Sequence, residues 1–244
     1  MSDRALSRGL PGGIALSRLR VYDWPAADGT RGGSPHLHTA STEGYLVLAG
    51  KGSVQTLSAQ GFEVTPLAPG TVAWFTPGTV HRLINDDGEL EILTLMSNAG
   101  LPEAGDAVLT FPADIVTDPA EYAARAALPS VGTSNELAAA ARRRRDLALR
   151  GFADLVERAS ADLEGTLAQL YAASTALVTG RVESWRDIVS SGPAAQTDAT
   201  WRQLDALAAG RAGELHDSGI RAASLDGRER FGMCGILTTW ESIS

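Results

Sequence analysis

Two short stretches decide the fold of this chain: His-Leu-His-Thr-Ala-Ser-Thr-Glu at residues 36–43 and Pro-Gly-Thr-Val-His at residues 77–81. The first stretch places two imidazoles at positions i and i+2, which point to the same face of a strand, and a carboxylate follows at the start of the next strand. The second stretch places a third imidazole directly after a Pro-Gly turn. Such a donor set suits a transition metal that keeps open coordination positions. The predicted metal ligands are His36, His38, Glu43 and His81.

One histidine alone would usually be a hydrogen-bonded or surface residue, because imidazole serves many purposes. The joint pattern of three histidines and a glutamate favours a metal instead. The donor types are compatible with one divalent Fe, Mn, Ni, Co, Cu or Zn ion per chain and do not choose among them. The fourth histidine, His216, lies near a predicted helix end and is interpreted as a surface or capping residue.

Short alternating or β-branched runs surround both stretches and are separated by turn signals rich in Gly, Pro and Asp. The turns recur about every ten residues, which is typical of an antiparallel barrel or sandwich. The runs predict strands at residues 14–22, 45–48, 53–57, 71–75, 81–84 and 90–96.

The pattern becomes helical after Asp118-Pro119, an N-cap followed by proline at the first helical position. Apolar residues at helical spacing predict helices at residues 121–128, 134–160, 162–178 and 198–217, with Ser134 as the N-cap of the second. We therefore predict an α+β chain with a β-barrel and its metal site at residues 1–117 and a helical subdomain at 118–230. A final strand, within 231–244, is expected to return to the barrel or to cover it.

The composition, with 44% hydrophobic and 20% charged residues among 244, is that of a globular protein. The net charge of −8 argues against nucleic acid and anionic membrane as partners. No apolar run is long enough for a membrane helix. The single cysteine, Cys234, excludes an intrachain disulfide and is interpreted as a small buried hydrophobe. A cytoplasmic location is expected.

Four consecutive arginines, 142–145, lie on the predicted second helix. Because successive helical side chains are about 100° apart, these cannot form one basic stripe. With Asp146 and Asp154 nearby, a solvated or salt-bridged face is expected here, rather than an anion site.

The two stretches and their spacing resemble the two motifs of the cupin superfamily. The resemblance covers residues 32–95 and rests on His36-Leu-His38, Glu43, Gly50, Gly70, Pro77-Gly78, His81 and Asn85. The chain departs from the motif at Thr30, where a glycine is usual, and in the interval from Gly70 to Pro77, which is one residue longer. The resemblance implies a jelly-roll barrel of roughly six to eight strands with a divalent metal held by the four predicted ligands.

Arginine or lysine near the site is usually needed for a phosphorylated substrate. Between Gly32 and Met96 the cations are Lys51, in a turn, and Arg82, which strand alternation points away from the metal. We therefore expect a small, non-phosphorylated organic ligand or substrate. Tyr45 shares the face of Glu43 and is the candidate catalytic residue for proton transfer; the alternative is that Tyr45 simply packs in the barrel.

The fold does not choose one activity. A metal-dependent cupin enzyme is the first hypothesis, with dioxygenase-type chemistry slightly favoured and an isomerase, epimerase or lyase as the alternative. A non-catalytic protein that binds or senses a small ligand is the second hypothesis. The third is a barrel in which the metal is structural and the helices form a dimer face. A homodimer is expected because barrel edges and amphipathic helices leave apolar surface to cover.

Overall fold

The computed structural model describes residues 10–242, so the first nine residues of the predicted barrel segment 1–117 and the last two of segment 231–244 lie outside the described residues. Among the described residues, nine strands form the N-terminal half. In chain order they are β1 (Ala15–Val21), β2 (His36–His38), β3 (Glu43–Ala49), β4 (Gly52–Ser58), β5 (Gly61–Leu67), β6 (Val72–Phe75), β7 (Val80–Asn85), β8 (Glu91–Met96) and β9 (Ala107–Leu109).

Helices follow, and strands return at residues 223–242. The helices are α1 (Ala113–Val116), α2 (Pro119–Ala126), α3 (Ser134–Ala161), α4 (Leu163–Val178), α5 (Val182–Val189) and α6 (Ala195–Ala208). The last strands are β10 (Ala223–Leu225), β11 (Arg230–Phe231) and β12 (Gly235–Ser242). Strand β12 pairs antiparallel with β1, so the C-terminal segment extends a barrel sheet. Within residues 10–242, no helix is long and apolar enough to cross a membrane.

The strands form two antiparallel sheets. The seven-stranded sheet has the order β10-β12-β1-β8-β3-β6, with β11 also paired to β12, and the five-stranded sheet has the order β5-β4-β7-β2-β9. Burial alternates along β3, where Glu43, Tyr45 and Val47 are buried and the residues between them are half-buried. This period of two is that of strands with one face toward a core. The predicted jelly-roll barrel followed by helices is confirmed.

The helices cover the outer face of the five-stranded sheet. Leu37, Leu57 and Val80 point away from the barrel interior and pack against the helical side chains of one apolar cluster. That cluster contains Phe152, Leu155, Leu167, Leu170, Val178 and Trp185. Burying a large apolar side chain contributes about 1.5–3 kcal/mol, so the helices help to hold the strands that carry the histidines.

The first three predicted helices agree with α2, α3 and α4 to within two residues, whereas the fourth, predicted at 198–217, is α6 and already ends at Ala208. The N-cap of α3 also differs from the prediction. Asp118 caps α2 by accepting from the backbone N–H groups of Ala120 and Glu121. The cap of α3 is Thr133, which forms a capping box with Glu136, and the predicted cap Ser134 is the first helical residue. Thr133 is the cap because Glu136 is at the third helical position, where its carboxylate accepts a hydrogen bond from the backbone N–H of Thr133.

The expectation of a solvated or salt-bridged face at residues 142–145 was only partly right. Arg145 forms an ion pair with Asp146 at 2.7 Å, but two of the four arginine side chains are buried or half-buried. Arg145 is 0% exposed, and its guanidinium donates to the backbone carbonyls of Trp24, Pro25 and Gly32. Arg144 is half-buried and donates to the carbonyls of Ala126 and Gly232. The helix packs Arg145 against the loop after β1, where backbone carbonyls bind the guanidinium in addition to its acidic partner Asp146. The other two arginines are exposed.

Strand β5 was not predicted because it contains Pro66 and is exposed over most of its length. The position of β5 in the sheet explains both the proline and the exposure. It pairs only with β4 and therefore lies at the edge of the five-stranded sheet, where a proline is tolerated because one row of backbone N–H groups has no partner to bond.

Candidate metal centre

The four predicted ligands meet inside the barrel. His36 and His81 are direct partners on β2 and β7, and His38 follows on the same face of β2. Glu43 begins β3 in the opposite sheet. All four side chains are buried, and one ligand atom from each lies within 4.8 Å of the others. The histidine strands of one sheet and the first residue of β3 thus converge on one point.

The inner atoms of the cluster are close enough to share one ion. His81 Nε2 lies 3.1 Å from His36 Nε2. Glu43 Oε2 lies 3.1 Å from His38 Nε2 and 3.0 Å from His81 Nε2. Three imidazole nitrogens and one carboxylate oxygen therefore face a common centre, which is the donor set that divalent transition metals take.

The outer nitrogen of each imidazole has its own acceptor. His36 Nδ1 donates to the carbonyl of Ser34 at 2.9 Å, His38 Nδ1 to Asp106 Oδ1 at 2.7 Å, and His81 Nδ1 to the carbonyl of Thr79 at 3.1 Å. Carbonyl and carboxylate oxygens only accept, so each ring keeps a hydrogen on Nδ1. This is the arrangement by which proteins orient metal-binding histidines, since it turns the Nε2 lone pair inward.

The geometry of the cluster fits a cation at its centre. With Nδ1 of each ring turned outward, the Nε2 atoms of His36 and His81 lie 3.1 Å apart and turn toward the same point. The buried Oε2 atom of Glu43 adds a negative charge 3.0 Å from His81 Nε2 and 3.1 Å from His38 Nε2. Burying such groups unpaired is costly. A divalent cation would pair with all of them at once, so the residues fit a metal.

The electrostatics of the site agree with this fit. Burial, together with His81 and His38, holds the pKa of His36 well below its usual value. Burial also lowers the pKa of His38, but hydrogen bonds and charges from Asp106 and Glu43 outweigh it and raise that pKa to about 10. Burial opposes ionisation of Glu43, yet His81 and His38 keep its pKa well below normal. Two buried carboxylates thus favour positive charge at the centre.

Tyr45, the predicted catalytic residue, lies beside the cluster. It is 0% exposed, it lies two residues from Glu43 on the same face, and its hydroxyl has no hydrogen-bond partner. Burial, and next the charge of Glu43, raise the pKa of Tyr45 well above its usual value. The hydroxyl therefore stays protonated and can donate a hydrogen bond or a proton, but it is unsuited to act as a base.

Sequence reasoning missed Asp106 and Thr94. Asp106 precedes β9, is fully buried, and accepts hydrogen bonds from His38 Nδ1 and from the backbone N–H of Ser41. Its Gly105-Asp106 turn looks like any surface turn in the sequence. Thr94 is the partner of Tyr45 on β8, is 5% exposed, and its hydroxyl also lacks a hydrogen-bond partner. Thr94 carries no signal that distinguishes it from an ordinary strand residue.

The cations of the barrel stay outside this interior. Arg82 is buried, but it lies on the other side of β7 from His81, where it pairs with Asp28 and donates to Thr30 Oγ1. Thr30 is the residue at which the first motif departs from the cupin pattern, so this departure changes a loop contact and leaves the ligand positions intact. Lys51 is exposed in the turn between β3 and β4.

Two antiparallel sheets around a buried cluster of three histidines and a glutamate define a jelly-roll barrel with a candidate metal centre. Residues 26–96 match the Cupin_2 family model, described as a cupin domain. The chain thus contains a cupin domain, and the resemblance of its two motifs is confirmed. The matched region includes all four predicted ligands, and the helices follow it. Comparison with curated proteins found no match.

Several solved structures resemble the barrel region. An uncharacterized protein with a double-stranded β-helix domain from Klebsiella pneumoniae is 18% identical, with a TM-score of 0.27 over 36% of this chain and 67% of that one. Pac13, a nucleoside dehydratase, is 18% identical, with a TM-score of 0.30 over 39% of this chain and 66% of its own; related structures give its source as Streptomyces and contain uridine.

A variant of oxalate decarboxylase from Bacillus subtilis is 17% identical, with a TM-score of 0.35 over 46% of this chain and 27% of that one. The aligned part spans about two thirds of the first two proteins and about a quarter of the decarboxylase. At these identities and TM-scores, the similarities carry no information about substrate or reaction.

Asp106→Asn is expected to weaken metal binding by about 10–100-fold while the chain stays folded, because loss of an outer partner of a metal-binding histidine has that effect. The asparagine oxygen can still accept from His38, but the charge that makes the imidazole a strong ligand is gone. Titration of chelator-treated protein with Zn²⁺ would measure the change. The matched control is Asp114→Asn, at an exposed carboxylate on α1, and equal affinities for both variants would contradict the prediction.

Proposed function

We propose that the protein is a metal-dependent cupin enzyme that acts on a small, non-phosphorylated organic molecule. The observation that carries the proposal is the buried cluster in which His36, His38, Glu43 and His81 turn their ligand atoms to one centre. The outer hydrogen bonds of the three imidazoles support it, because they fix the ligand nitrogens inward before any metal arrives. One divalent ion per chain, chosen from Fe, Mn, Ni, Co, Cu and Zn, is the proposed cofactor.

The proposed roles divide among the residues around the centre. The three histidines and Glu43 hold the metal, and Asp106 orients His38. When bound there, the metal would supply Lewis acidity or a redox centre for O₂. Tyr45 donates a hydrogen bond or a proton to the reacting molecule, since its hydroxyl is protonated and has no partner in the protein.

The lining of the interior indicates the class of substrate. The side chains that face inward on β3, β7 and β8 within the described residues include no lysine or arginine, so the interior offers no cation to a phosphate. The unpartnered hydroxyls of Tyr45 and Thr94 are polar atoms that a ligand oxygen or nitrogen could satisfy. A neutral, aromatic or monocarboxylate molecule fits this lining, and the burial of the site requires it to be small.

Dioxygenase-type chemistry remains our slight preference. Tyr45 is the one proton donor that we assign beside the metal ligands. An isomerase or epimerase generally needs a second acid or base that returns the proton to the substrate, and we assign no such residue. An isomerase, epimerase or lyase is the alternative. The metal decides where to look first: iron, copper or nickel directs the search to oxygen uptake, and zinc or manganese to isomerisation and elimination.

The function can be tested with chelator-treated protein reloaded with each of the six metals. Each form would be incubated with a panel of small carboxylic acids and phenols while an oxygen electrode and mass spectrometry follow consumption and products. We expect turnover of at least one compound with one metal and none with the His36→Ala/His38→Ala variant. Turnover by the variant, or none by any metal form on a broad panel, would contradict the enzyme proposal.

Tyr45→Phe is expected to lower kcat for that compound by about 100-fold or more, because positioned proton transfer contributes about 10²–10⁴-fold to a rate. Metal content should be unchanged, since the phenol hydroxyl has no well-formed hydrogen bond in the protein. If kcat is unchanged, Tyr45 has only a packing role against Phe75, whose ring lies 5.4 Å away.

A non-catalytic binding or sensing protein is the second candidate. The observation that favours it is the packing of α3, α4 and α5 against the back of the strands that carry the histidines. Tyr171 of α4 also donates to the carbonyl of Gly78, three residues before His81. Hydrogen exchange with and without metal would test it: sensing requires metal-dependent protection in α4, and unchanged exchange there would argue against it.

The remaining parts of the proposal concern partners and location. A small molecule is the proposed ligand, with no nucleic acid or membrane, because the net charge of −8 opposes polyanions. A homodimer and a cytoplasmic location also remain proposals. The buried, unpaired thiol of Cys234 is compatible with a reducing compartment.

A further inference from the structure

The outer face of the seven-stranded sheet carries an apolar patch that the function proposed above does not use. The register of β6, β3, β8 and β1 places its residues side by side across four strands. We call it the Trp74 face, and it consists of Leu16, Gly44, Leu46, Val72, Trp74, Leu93 and Leu95. These residues alternate with the inward-facing ones, so their side chains point away from the metal.

The Trp74 face is exposed, whereas the outer face of the opposite sheet is covered. Trp74 is 72% exposed and Val72 is 56% exposed, and both lie on the edge strand β6. The corresponding outer face of the five-stranded sheet is packed under helices. A contiguous apolar patch centred on an exposed tryptophan is typical of a protein interface.

The shape of the Trp74 face is complementary to the same face of a second copy related by a twofold axis. Gly44 lies between Trp74 and Leu95 in the strand register. A Cβ atom at Gly44 would meet only ordinary contacts at 3.5 Å or more, so the fold of this chain does not require a glycine there. Its missing side chain leaves a depression beside the protruding indole. One knob beside one hole on the same surface is what an isologous interface with a twofold axis needs.

The charges of the face also permit a second copy. Each chain carries −8, so two copies repel over most of their surface. At the rim of the Trp74 face, Arg18 and Glu91 form an ion pair at 2.6 Å, and the patch residues themselves are uncharged. The uncharged face offers no charge that a basic or an acidic partner would recognise. Two identical copies, in contrast, can associate through it with little electrostatic repulsion between them.

We propose that the protein forms a homodimer through the Trp74 faces, with Trp74 of each copy in the depression at Gly44 of the other. Burial of the indole and of the leucines around it is the driving force. Central tryptophans of interfaces commonly dominate the affinity, so removal of this side chain should weaken association by at least about 30-fold.

The test is sedimentation velocity of the full chain between about 1 and 100 μM, the range in which a modest interface of this kind is expected to dissociate. We expect a dimer for the wild type at the upper end. Trp74→Ser removes the knob and Gly44→Val fills the hole with a residue that favours strands, and both should be monomeric. The matched control is Trp201→Ser, which removes an exposed tryptophan from α6 and should leave the dimer intact.

Thermal unfolding of each variant would show that the monomeric forms are folded. The proposal is overturned by a wild type that is monomeric at about 100 μM, or by a Trp74→Ser protein that remains dimeric. It is likewise overturned if Trp201→Ser dissociates the dimer while Trp74→Ser does not, because the interface would then lie on α6. None of these outcomes depends on metal or substrate, so they are distinguishable from failure of the enzyme proposal.

Discussion

Arg145→Met is expected to lower the free energy of unfolding by about 3–5 kcal/mol. The methionine fills much of the same volume, but the carbonyls of Trp24 and Gly32 lose the donor that Arg145 provides, and Asp146 loses its ion pair. An unsatisfied buried polar group costs about 1–3 kcal/mol, and two such carbonyls are left close together. The cation–π contact with the ring of Trp24, at 5.9 Å, is lost as well.

Urea unfolding followed by circular dichroism would measure this loss as a shift of the midpoint at constant slope. Arg143→Met is the matched control, because it makes the same change on the same helix at an exposed position. Its effect should stay within about 0.5 kcal/mol. A loss below about 1 kcal/mol in Arg145→Met would show that water replaces the guanidinium and that this contact does not tie α3 to the barrel.

Metal is expected to stabilise the wild-type protein by about 4 kcal/mol when its free concentration is 1,000 times the dissociation constant, as mass action requires for a site that exists only in the folded chain. The physical reason is the geometry of the cluster, in which ligand atoms of His36, Glu43 and His81 are buried within 4.8 Å of one another and can all bind one cation. Chelation should therefore lower the unfolding temperature by many degrees.

His81→Ala should remove nearly all of this metal-dependent increment, because it deletes a ligand with its Nε2 at the centre of the cluster. His216→Ala is the control, since His216 is exposed after α6 and outside the cluster. Thermal unfolding with Zn²⁺ and with chelator would compare the three proteins. An equal increment in His81→Ala and wild type would place the stabilising metal elsewhere.

The sequence predicted the structure correctly where a local residue pattern alone determines the position of a side chain in the fold. Residues 36–43 combine the strand period with metal-ligand chemistry, so both the β2–β3 region and the clustering of its side chains could be predicted. The helices could be predicted from apolar spacing and from the Asp118-Pro119 start, because capping depends on neighbouring residues only.

The features that could not be predicted depend on contacts between distant residues. Asp106 is 68 positions from His38, and only the pairing of β9 with β2 brings the two together. Arg145 looks like any charged helical residue until α3 packs on the loop after β1. The exposure of Trp74 follows from its outward register on an edge strand, which its aromatic character alone does not reveal.

The most direct test of the account is the metal content of untagged protein purified without chelator, measured by mass spectrometry beside the His36→Ala/His38→Ala double variant. The account predicts about one Fe, Mn, Ni, Co, Cu or Zn per wild-type chain and a loss of that metal in the variant, since the pair supplies two of the four ligand atoms. A wild type that stays metal-free even after reconstitution with each ion, or a variant that retains the full metal content, would contradict it.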